Sequence, residues 1–310
     1  MDLIQVKPFL RWAGGKRQLL PKLYNFFPQS ICDSQRIGCY IEPFLGGGAL
    51  YFWLVSRINL QNVVLIERNS VVVECYQTVK SDVEALIHEL RLKERKYFKM
   101  SLEARRNYYY DVRVAFNSVL LSGKNHLGVA NIAKFIFLNK TCFNGLFRVN
   151  QKGEFNVPFG EPRDVRLFDF DNLKAVSKVL KNANIICRDF GECVKFAGKD
   201  SFVYFDPPYR SIGKPRHSRI YSKDQFDDRE QERLKNVFDA LHRSGAFVLL
   251  SNSDPKNGSD DNYFDDLYSG YDIKRIQARR SINCKVDKRG RINEILVMNY
   301  SCGTREKQPV

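Results

Sequence analysis

The run Asp206-Pro-Pro-Tyr209 holds the residues best suited to chemistry, and it directly follows the apolar stretch 202–205. An acid that ends a buried strand should lie at the carboxyl edge of a sheet, where ligands bind. Asp206 offers a carboxylate acceptor, and Pro207 offers a carbonyl whose direction the locked proline φ angles fix. Together with the ring of Tyr209, these groups suit the polarisation of a weakly nucleophilic amine on a flat ring. The alternative is an ordinary strand end capped by a Pro-Pro turn.

A second candidate site is a glycine loop between a predicted strand at 39–44 and a predicted helix that begins near Ala49. The loop carries glycines at 46–48, and the next apolar run, 63–66, ends in Glu67. An acid at this position can accept hydrogen bonds from ribose hydroxyls. The loop does not spell GxGxxG and no Lys-Ser or Lys-Thr follows, which argues against a dinucleotide or triphosphate site. The glycines could also form a simple turn.

The surrounding elements predict an α/β fold with a doubly wound, mostly parallel sheet. Residues 17–27 have helical apolar spacing, whereas residues 80–170 interrupt the sheet pattern with a mainly helical, basic and aromatic segment suited to nucleic acid. We predict a catalytic domain made of 1–80 and 170–310, with 81–169 as a DNA target-recognition insertion. Further strands are expected at 185–187, 202–205, 247–250 and 295–298, and a charged helix at 227–243.

Composition narrows the possible partners of the chain. It holds 50 Lys and Arg against 35 Asp and Glu, and this charge of +15 attracts polyanions, although it could also serve solubility alone. The eight cysteines form no CxxC pair and the four histidines no zinc-type spacing, so we expect reduced thiols and no metal. No apolar stretch approaches the length of a membrane span, and we expect a cytoplasmic protein without membrane contact.

Several motifs, in order, resemble those of the Dam-type (D12 class) DNA adenine-N6 methyltransferases. Residues 9–16 are similar to the N-terminal cofactor motif of that family, 40–48 to its glycine motif, 143–160 to its DNA-recognition segment, and 206–209 to its catalytic motif. Residues 251–252 and 279–282 also lie where the family carries shorter motifs. The resemblance implies the fold of S-adenosylmethionine-dependent methyltransferases, with S-adenosyl-L-methionine as co-substrate.

The resemblance also implies roles for individual residues. Arg148 would face a guanine in the major groove, which suits its forked donors; a phosphate contact or a plain surface charge is the alternative. Arg11 stands where the family often has Lys, and Glu67 where Asp is common. The implied catalytic residues are Asp206, Pro207 and Tyr209. The implied cofactor-binding residues are Trp12, Lys16, Glu42, Phe44, Gly46, Gly48, Glu67, Asp189, Phe190 and Asp206. The implied DNA-binding residues are Arg11, Asn144, Arg148, Arg279 and Arg280.

The function that we expect is methylation of adenine N6 in double-stranded DNA, within GATC, after the base is flipped out of the duplex. We expect a monomer, and a cognate restriction endonuclease in the same system would act without contacting it. The alternatives are methylation of an amine in RNA or of a protein glutamine, although related glutamine enzymes tend to carry Asn in place of Asp206. Two other hypotheses are a DNA-binding protein without activity and a dinucleotide oxidoreductase. Neither accounts for the catalytic motif.

Overall fold

A seven-stranded sheet runs through the part of the chain that the computed structural model describes, residues 5–12, 16–162, 166–210, 226–257, 260–279 and 291–302. The strand order is β3-β2-β1-β4-β5-β7-β6. The strands are β1 (Arg36–Glu42), β2 (Asn59–Glu67), β3 (Ala183–Cys187), β4 (Ser201–Phe205), β5 (Phe247–Ser253), β6 (Asp272–Arg279) and β7 (Arg291–Met298).

Five neighbouring strands of this sheet are parallel, and β7 lies antiparallel between β5 and β6. The prediction of a doubly wound, mostly parallel sheet is therefore confirmed. The strand order reverses its direction between β1 and β4, and the crevice at such a switch point is where open α/β sheets bind ligands.

Helices cover both faces of the sheet. They are α1 (Leu20–Tyr24), α2 (Gln29–Ser34), α3 (Ala49–Val55), α4 (Ser70–Ser81), α5 (Val83–Phe98), α6 (Leu102–Leu120), α7 (Val129–Thr141), α8 (Phe170–Leu180), α9 (Asp228–Arg243) and α10 (Tyr263–Leu267). Side chains satisfy the free N–H groups at several N-termini, as Asn69 does for α4, Ser101 for α6 and Asp227 for α9.

The alternation of side chains along the strands divides the apolar core into two layers. On β4, Tyr204 belongs to the layer that α4 to α8 cover, whereas Val203 and Phe205 belong to the layer under α9. Leu234 and Phe238 of α9 are fully buried in that second layer. Because both faces of β4 are covered, the strand reads as a continuous apolar run.

Two local expectations differ from the structure. The helix expected over 17–27 is limited to Leu20–Tyr24, because Pro21 lacks an N–H and fits only the first turn of a helix. Strand β6 has no counterpart among the predicted strands. It lies at the edge of the sheet with exposed Lys274 and Arg275, so its sequence lacks a long apolar run.

The chain between β2 and β3 holds α4 to α7 and a small hairpin in which Val149 bridges Phe155. The predicted boundaries at 81 and 169 fall at the end of α4 and just before α8, but the DNA-recognition role of the segment stays a prediction. Its buried side chains, such as Tyr97 and Phe137, belong to the same core as Leu65 of β2.

Helix α6 holds this hairpin through side-chain contacts to its backbone. The Asn117 amide donates to the Phe155 carbonyl at 3.0 Å, and the Phe155 N–H donates back to Asn117 at 2.9 Å. The Tyr109 hydroxyl donates to the Val157 carbonyl at 2.7 Å. The returning strand of the hairpin is therefore fixed to α6 by hydrogen bonds and apolar contacts.

Asn117→Ala should destabilise the protein by about 1–3 kcal/mol, because it leaves two backbone groups of Phe155 without their partner. Urea unfolding measures this change, and limited proteolysis should show faster cleavage within 148–157. Ser118→Ala is the matched control, since Ser118 is exposed and bonds only within its own helix. Equal unfolding free energies for the two variants would contradict the anchoring role.

Candidate active site

A cleft of about 1130 Å³ lies at the carboxyl ends of β1, β2 and β4. It brings together residues from segments far apart in sequence, as expected at the switch point of the sheet. The predicted site residues that line it are Arg11, Trp12, Lys16, Glu42, Phe44, Gly46, Gly48, Glu67, Asn144, Asp206, Pro207 and Tyr209. Asp189, Phe190 and Arg148 are not among its lining residues.

The glycine loop forms one wall of the cleft and packs directly on Trp12. Gly46 has a φ of +45°, and a Cβ at this position would lie 2.5 Å from the indole nitrogen of Trp12. Gly48 also has a positive φ and has Tyr76 within 2.8 Å of the place of a Cβ. Glycine is therefore needed at both positions, for its conformation and for space.

Glu67 ends β2 beneath this loop. Its two carboxylate oxygens accept the N–H groups of Gly46 and Asn69, each at 2.9 Å. Burial raises the pKa of Glu67, although these N–H donors act in the opposite direction. Each carboxylate oxygen can accept more than one hydrogen bond, so the acid holds the loop and keeps capacity for a ligand hydroxyl.

Lys16 lies at the floor of the cleft, only 5% exposed. Its ammonium lies 2.9 Å from Asp206 Oδ1, 3.1 Å from Glu294 Oε2 and 2.7 Å from Ser251 Oγ. The Ser251 hydroxyl also pairs with the Tyr204 hydroxyl at 2.8 Å. Three oxygens thus surround a group that has three N–H donors, and this satisfies the buried charge.

Burial raises the pKa of both Asp206 and Glu294, because desolvation outweighs the attraction of the Lys16 ammonium. Burial by itself would lower the pKa of Lys16, but the two carboxylates more than offset it, and the lysine pKa is raised. Lys16 therefore stays protonated and places a fixed positive charge between the two carboxyl groups.

Glu42 ends β1 and is a further buried acid of the cleft. Its Oε2 accepts the Tyr40 hydroxyl at 2.7 Å. Burial raises the pKa of Glu42 to about 8, and the nearby charge of Asp206 adds to the effect. In the folded, ligand-free protein the Glu42 side chain is therefore mostly protonated near neutral pH.

The segment 206–209, which the sequence predicts to be the catalytic motif, continues directly from β4 into the cleft. Asp206 keeps 27% of its side chain exposed, so its carboxylate faces the open space. The Tyr209 hydroxyl donates to Glu294 Oε1 at 2.9 Å, and the Lys16 ammonium lies 5.3 Å from the centre of the Tyr209 ring. The hydrogen bond to Glu294 thus fixes the hydroxyl end of Tyr209, and the side chain stays partly exposed.

Asp189 and Phe190 lie beside this cleft. The Asp189 carboxylate pairs with both terminal nitrogens of the Arg233 guanidinium, at 2.6 and 2.9 Å, and this pairing lowers the pKa of Asp189. The Phe190 ring stacks on Phe44 with centroids 5.1 Å apart. Through Phe44 the pair adjoins the cleft, and its cofactor-binding role stays a prediction.

The predicted DNA-binding residues divide into two groups. Arg11 and Asn144 line the mouth of the cleft, and the Arg11 guanidinium donates to the Lys140 carbonyl at 3.0 Å. Arg148 lies on the hairpin, where its Nε donates to Asn156 Oδ1 at 2.7 Å. The Arg279 side chain and all of Arg280 lie outside the described residues, as do Gly14 and Gly15.

In the described part of the chain, no group of three or more His, Cys, Asp or Glu side chains is arranged to hold a metal ion. The same residues contain no helix long and apolar enough to cross a membrane.

A family model for D12 class N6 adenine-specific DNA methyltransferases matches residues 12–282, and this range contains the glycine loop, Glu67 and the catalytic motif. The chain belongs to this family. The methyltransferase is 44% identical to the type II methyltransferase M.MjaIII of Methanocaldococcus jannaschii, over 96% of this chain and all of the relative.

Two further relatives match almost their full length. Type II methyltransferase M1.LlaDCHI of Lactococcus lactis subsp. cremoris is 34% identical over 96% of each chain. A DNA adenine methylase of Haemophilus influenzae is 29% identical over 94% of this chain and 93% of its own. The resemblance in the sequence motifs is therefore confirmed at the level of the family.

Glu294 and Tyr204 are site residues that the sequence reasoning missed. Glu294 is an acid within the apolar strand β7 and is only 3% exposed. An acid inside a run that otherwise reads as a buried strand is costly unless it is paired, and this was the available signal. Its partner, Lys16, could not be inferred because it lies at the other end of the chain.

Glu42→Gln should stabilise the ligand-free methyltransferase more at pH 8 than at pH 5. A carboxyl whose pKa rises from 4.5 to about 8 on folding destabilises the fold increasingly as pH increases between these values. Glutamine does not ionise and so removes this effect. The variant should therefore have a larger free energy of unfolding than the wild type, by less than about 1 kcal/mol at pH 5 and by a few kcal/mol at pH 8.

Urea unfolding at the two pH values measures this difference. Glu103→Gln is the control, because Glu103 is an exposed carboxylate at the start of α6. A gain for Glu42→Gln that does not depend on pH would refute the raised pKa.

Proposed function

We propose that this methyltransferase transfers the methyl group of S-adenosyl-L-methionine to N6 of adenine in double-stranded DNA, within GATC, after flipping the base into the cleft. The observation that carries the proposal is the position of Asp206 and Tyr209. Both line the same cleft as the glycine loop and Glu67, so an amine acceptor and a cofactor wall face one space.

The residues present fit this co-substrate. The indole of Trp12 packs directly on Gly46 and forms an aromatic wall beside the loop, and Glu67 can accept from ribose hydroxyls. Glu42 offers a buried carboxylate to an ammonium group. When bound, S-adenosylmethionine supplies an electrophilic methyl group on a sulfonium.

The buried acids near Asp206 also favour a cationic ligand. Asp206 and Glu294 both pair with the Lys16 ammonium, Glu42 lies in the same cleft as Asp206, and desolvation raises the pKa of each of the three acids. A positive charge bound beside them would favour their ionised forms. The sulfonium and ammonium of S-adenosylmethionine provide such charges.

In the transfer step, Asp206 and the Pro207 carbonyl accept hydrogen bonds from the adenine amine. The new N–C bond forms as the S–C bond breaks, and the nitrogen gains positive charge. The fixed carboxylate stabilises this charge without having to reorganise, because Lys16 already holds its Oδ1 at 2.9 Å. The co-substrate leaves as a neutral thioether, and the extra proton passes from the nitrogen to solvent water.

The ring of Tyr209 provides a surface on which a flipped base can stack. It is 37% exposed and directly follows the two prolines that fix the backbone. Bases in duplex DNA cannot otherwise reach a catalytic group at the floor of a cleft.

Recognition of the target is proposed for the hairpin and the mouth of the cleft. Arg148 has a guanidinium fork suited to guanine O6 and N7, and Arg11 and Asn144 lie between the hairpin and the catalytic motif. The net charge of +15 supports phosphate contacts around them.

The biological role that we propose is the modification step of a restriction–modification system, with a monomeric enzyme and an endonuclease that it need not contact. Two relatives are named type II methyltransferases, which supports this role. Incubation of the protein with labelled S-adenosylmethionine and either plasmid DNA or RNA, followed by mapping of the modified base, tests the proposed reaction. Modification of RNA alone would overturn it.

Asp206→Asn should lower the single-turnover rate of methylation by about a hundredfold or more, with DNA and cofactor both saturating. The amide keeps the shape of the side chain but presents donors to an amine whose own N–H groups need acceptors. DNA affinity should be retained, because phosphate contacts supply most of it.

Asp200→Asn is the matched control for this variant. Asp200 is an exposed aspartate at the opposite end of β4, and its replacement should leave the rate unchanged. A rate for Asp206→Asn within threefold of the wild type would refute the role of Asp206.

Arg148→Ala should lose about 1–3 kcal/mol of discrimination at one guanine of the target. Competition binding with single-base variants of GATC measures it. Lys152→Ala, at the exposed tip of the same hairpin, should weaken binding to all sequences alike. The same uniform weakening for Arg148→Ala would make Arg148 a phosphate contact.

A further inference from the structure

Glu294 connects two groups that the proposed reaction uses. Its Oε1 accepts the Tyr209 hydroxyl at 2.9 Å, and its Oε2 lies 3.1 Å from the Lys16 ammonium. The side chain comes from β7, the reversed strand, which pairs with β5 and β6. A residue of β7, a strand that carries none of the sequence motifs, therefore contacts the catalytic motif directly.

This contact determines where the ring of Tyr209 can lie. The prolines before Tyr209 restrict its backbone, and the bond to Glu294 fixes the far end of its side chain. The hydroxyl is thus turned down toward the floor while a face of the ring stays partly exposed in the cleft. A ring held at both ends presents a fixed surface, whereas a ring held at one end can rotate.

The second contact of Glu294 means that the Lys16 ammonium pairs with two carboxyl groups at once. The ammonium lies between Asp206 and Glu294 at nearly equal distances, 2.9 and 3.1 Å. With Glu294 present, the lysine neutralises Asp206 only in part. The carboxylate of Asp206 thereby keeps more of its strength as an acceptor for an amine.

We propose that Glu294 is a positioning residue of the transfer reaction, which fixes the ring of Tyr209 for stacking of the target base and shares Lys16 with Asp206. The inference rests on the proposed function, because it concerns how the same site holds its substrate. The competing explanation is that Glu294 serves only the stability of the fold, as a buried partner of Lys16.

Glu294→Gln separates these two explanations. Lys16 needs an acceptor, so the amide should turn its oxygen toward the ammonium and its NH2 group toward Tyr209. The tyrosine hydroxyl then loses its charged acceptor and can only accept a weaker hydrogen bond from the amide, while the shape of the site is kept. Tyr209→Phe removes the hydrogen bond from the other side and leaves the contact between Lys16 and Glu294 in place.

The experiment measures single-turnover methylation with saturating DNA and cofactor for Glu294→Gln, Tyr209→Phe and the double variant. Each single variant should lower the rate by between about tenfold and a hundredfold, because a reactant held in the wrong geometry reacts slowly. The rate of the double variant should fall by much less than the product of the two single losses, since both substitutions act on the same contact.

A second readout follows the base itself. DNA that carries 2-aminopurine at the target adenine should fluoresce more brightly when bound to either single variant than to the wild type, because the flipped base stacks less well on a loose ring. The double variant should be no brighter than the single ones. A residue that serves only stability would change the unfolding midpoint and leave this fluorescence unchanged.

Tyr271→Phe is the matched control, because the Tyr271 hydroxyl donates to the Asp239 carboxylate away from the cleft. It should leave the rate and the fluorescence unchanged. The inference is overturned if the losses of the two single variants multiply, or if Tyr209→Phe, which keeps the ion pair between Lys16 and Glu294, has the rate of the wild type. If the wild type instead methylates another amine, the proposed function fails, and the same variants are compared on that substrate.

Discussion

The buried ammonium of Lys16 is bound by oxygens from three neighbouring strands, Asp206 after β4, Ser251 on β5 and Glu294 on β7. A charge in this position is tolerated only when all of its partners are in place, since the loss of one leaves a buried charge uncompensated. The register of β7 is fixed by the same requirement, because a shift by one residue would turn Glu294 to the other face of the sheet. The N-terminal segment and the catalytic motif thus depend on one ion cluster.

A second link joins the two walls of the cleft. The indole of Trp12 lies against the glycine loop on one side and stacks on Phe147 of the hairpin segment on the other, with centroids 6.4 Å apart. Asn139 adds a polar contact, since its side chain bonds both the N–H and the carbonyl of Arg11. The loop proposed for the cofactor and the segment proposed for DNA are therefore joined through the aromatic contacts of Trp12 and the polar contacts of Arg11.

Much of the sheet could be predicted from the sequence, because strands such as β4 are buried on both faces and read as apolar runs. The edge strand β6 could not, since it is paired on one side only and its composition is polar. The residues of the glycine loop and the catalytic motif were predicted because each set is contiguous in sequence. Glu294 was missed because its meaning depends on Lys16, and pairing between distant residues is fixed only by the assembled sheet.

The core that joins the helices between β2 and β3 to the sheet has a consequence for how such a protein can change over time. Tyr97, Phe137 and Leu65 belong to one apolar cluster, so the inserted segment cannot be exchanged as a separate unit without repacking the interior. The hairpin that begins near Val149 is fixed by a few hydrogen bonds to α6 and carries exposed side chains at its tip. Divergence among relatives should therefore proceed by point changes along this hairpin, with the helices beneath it inherited as a whole.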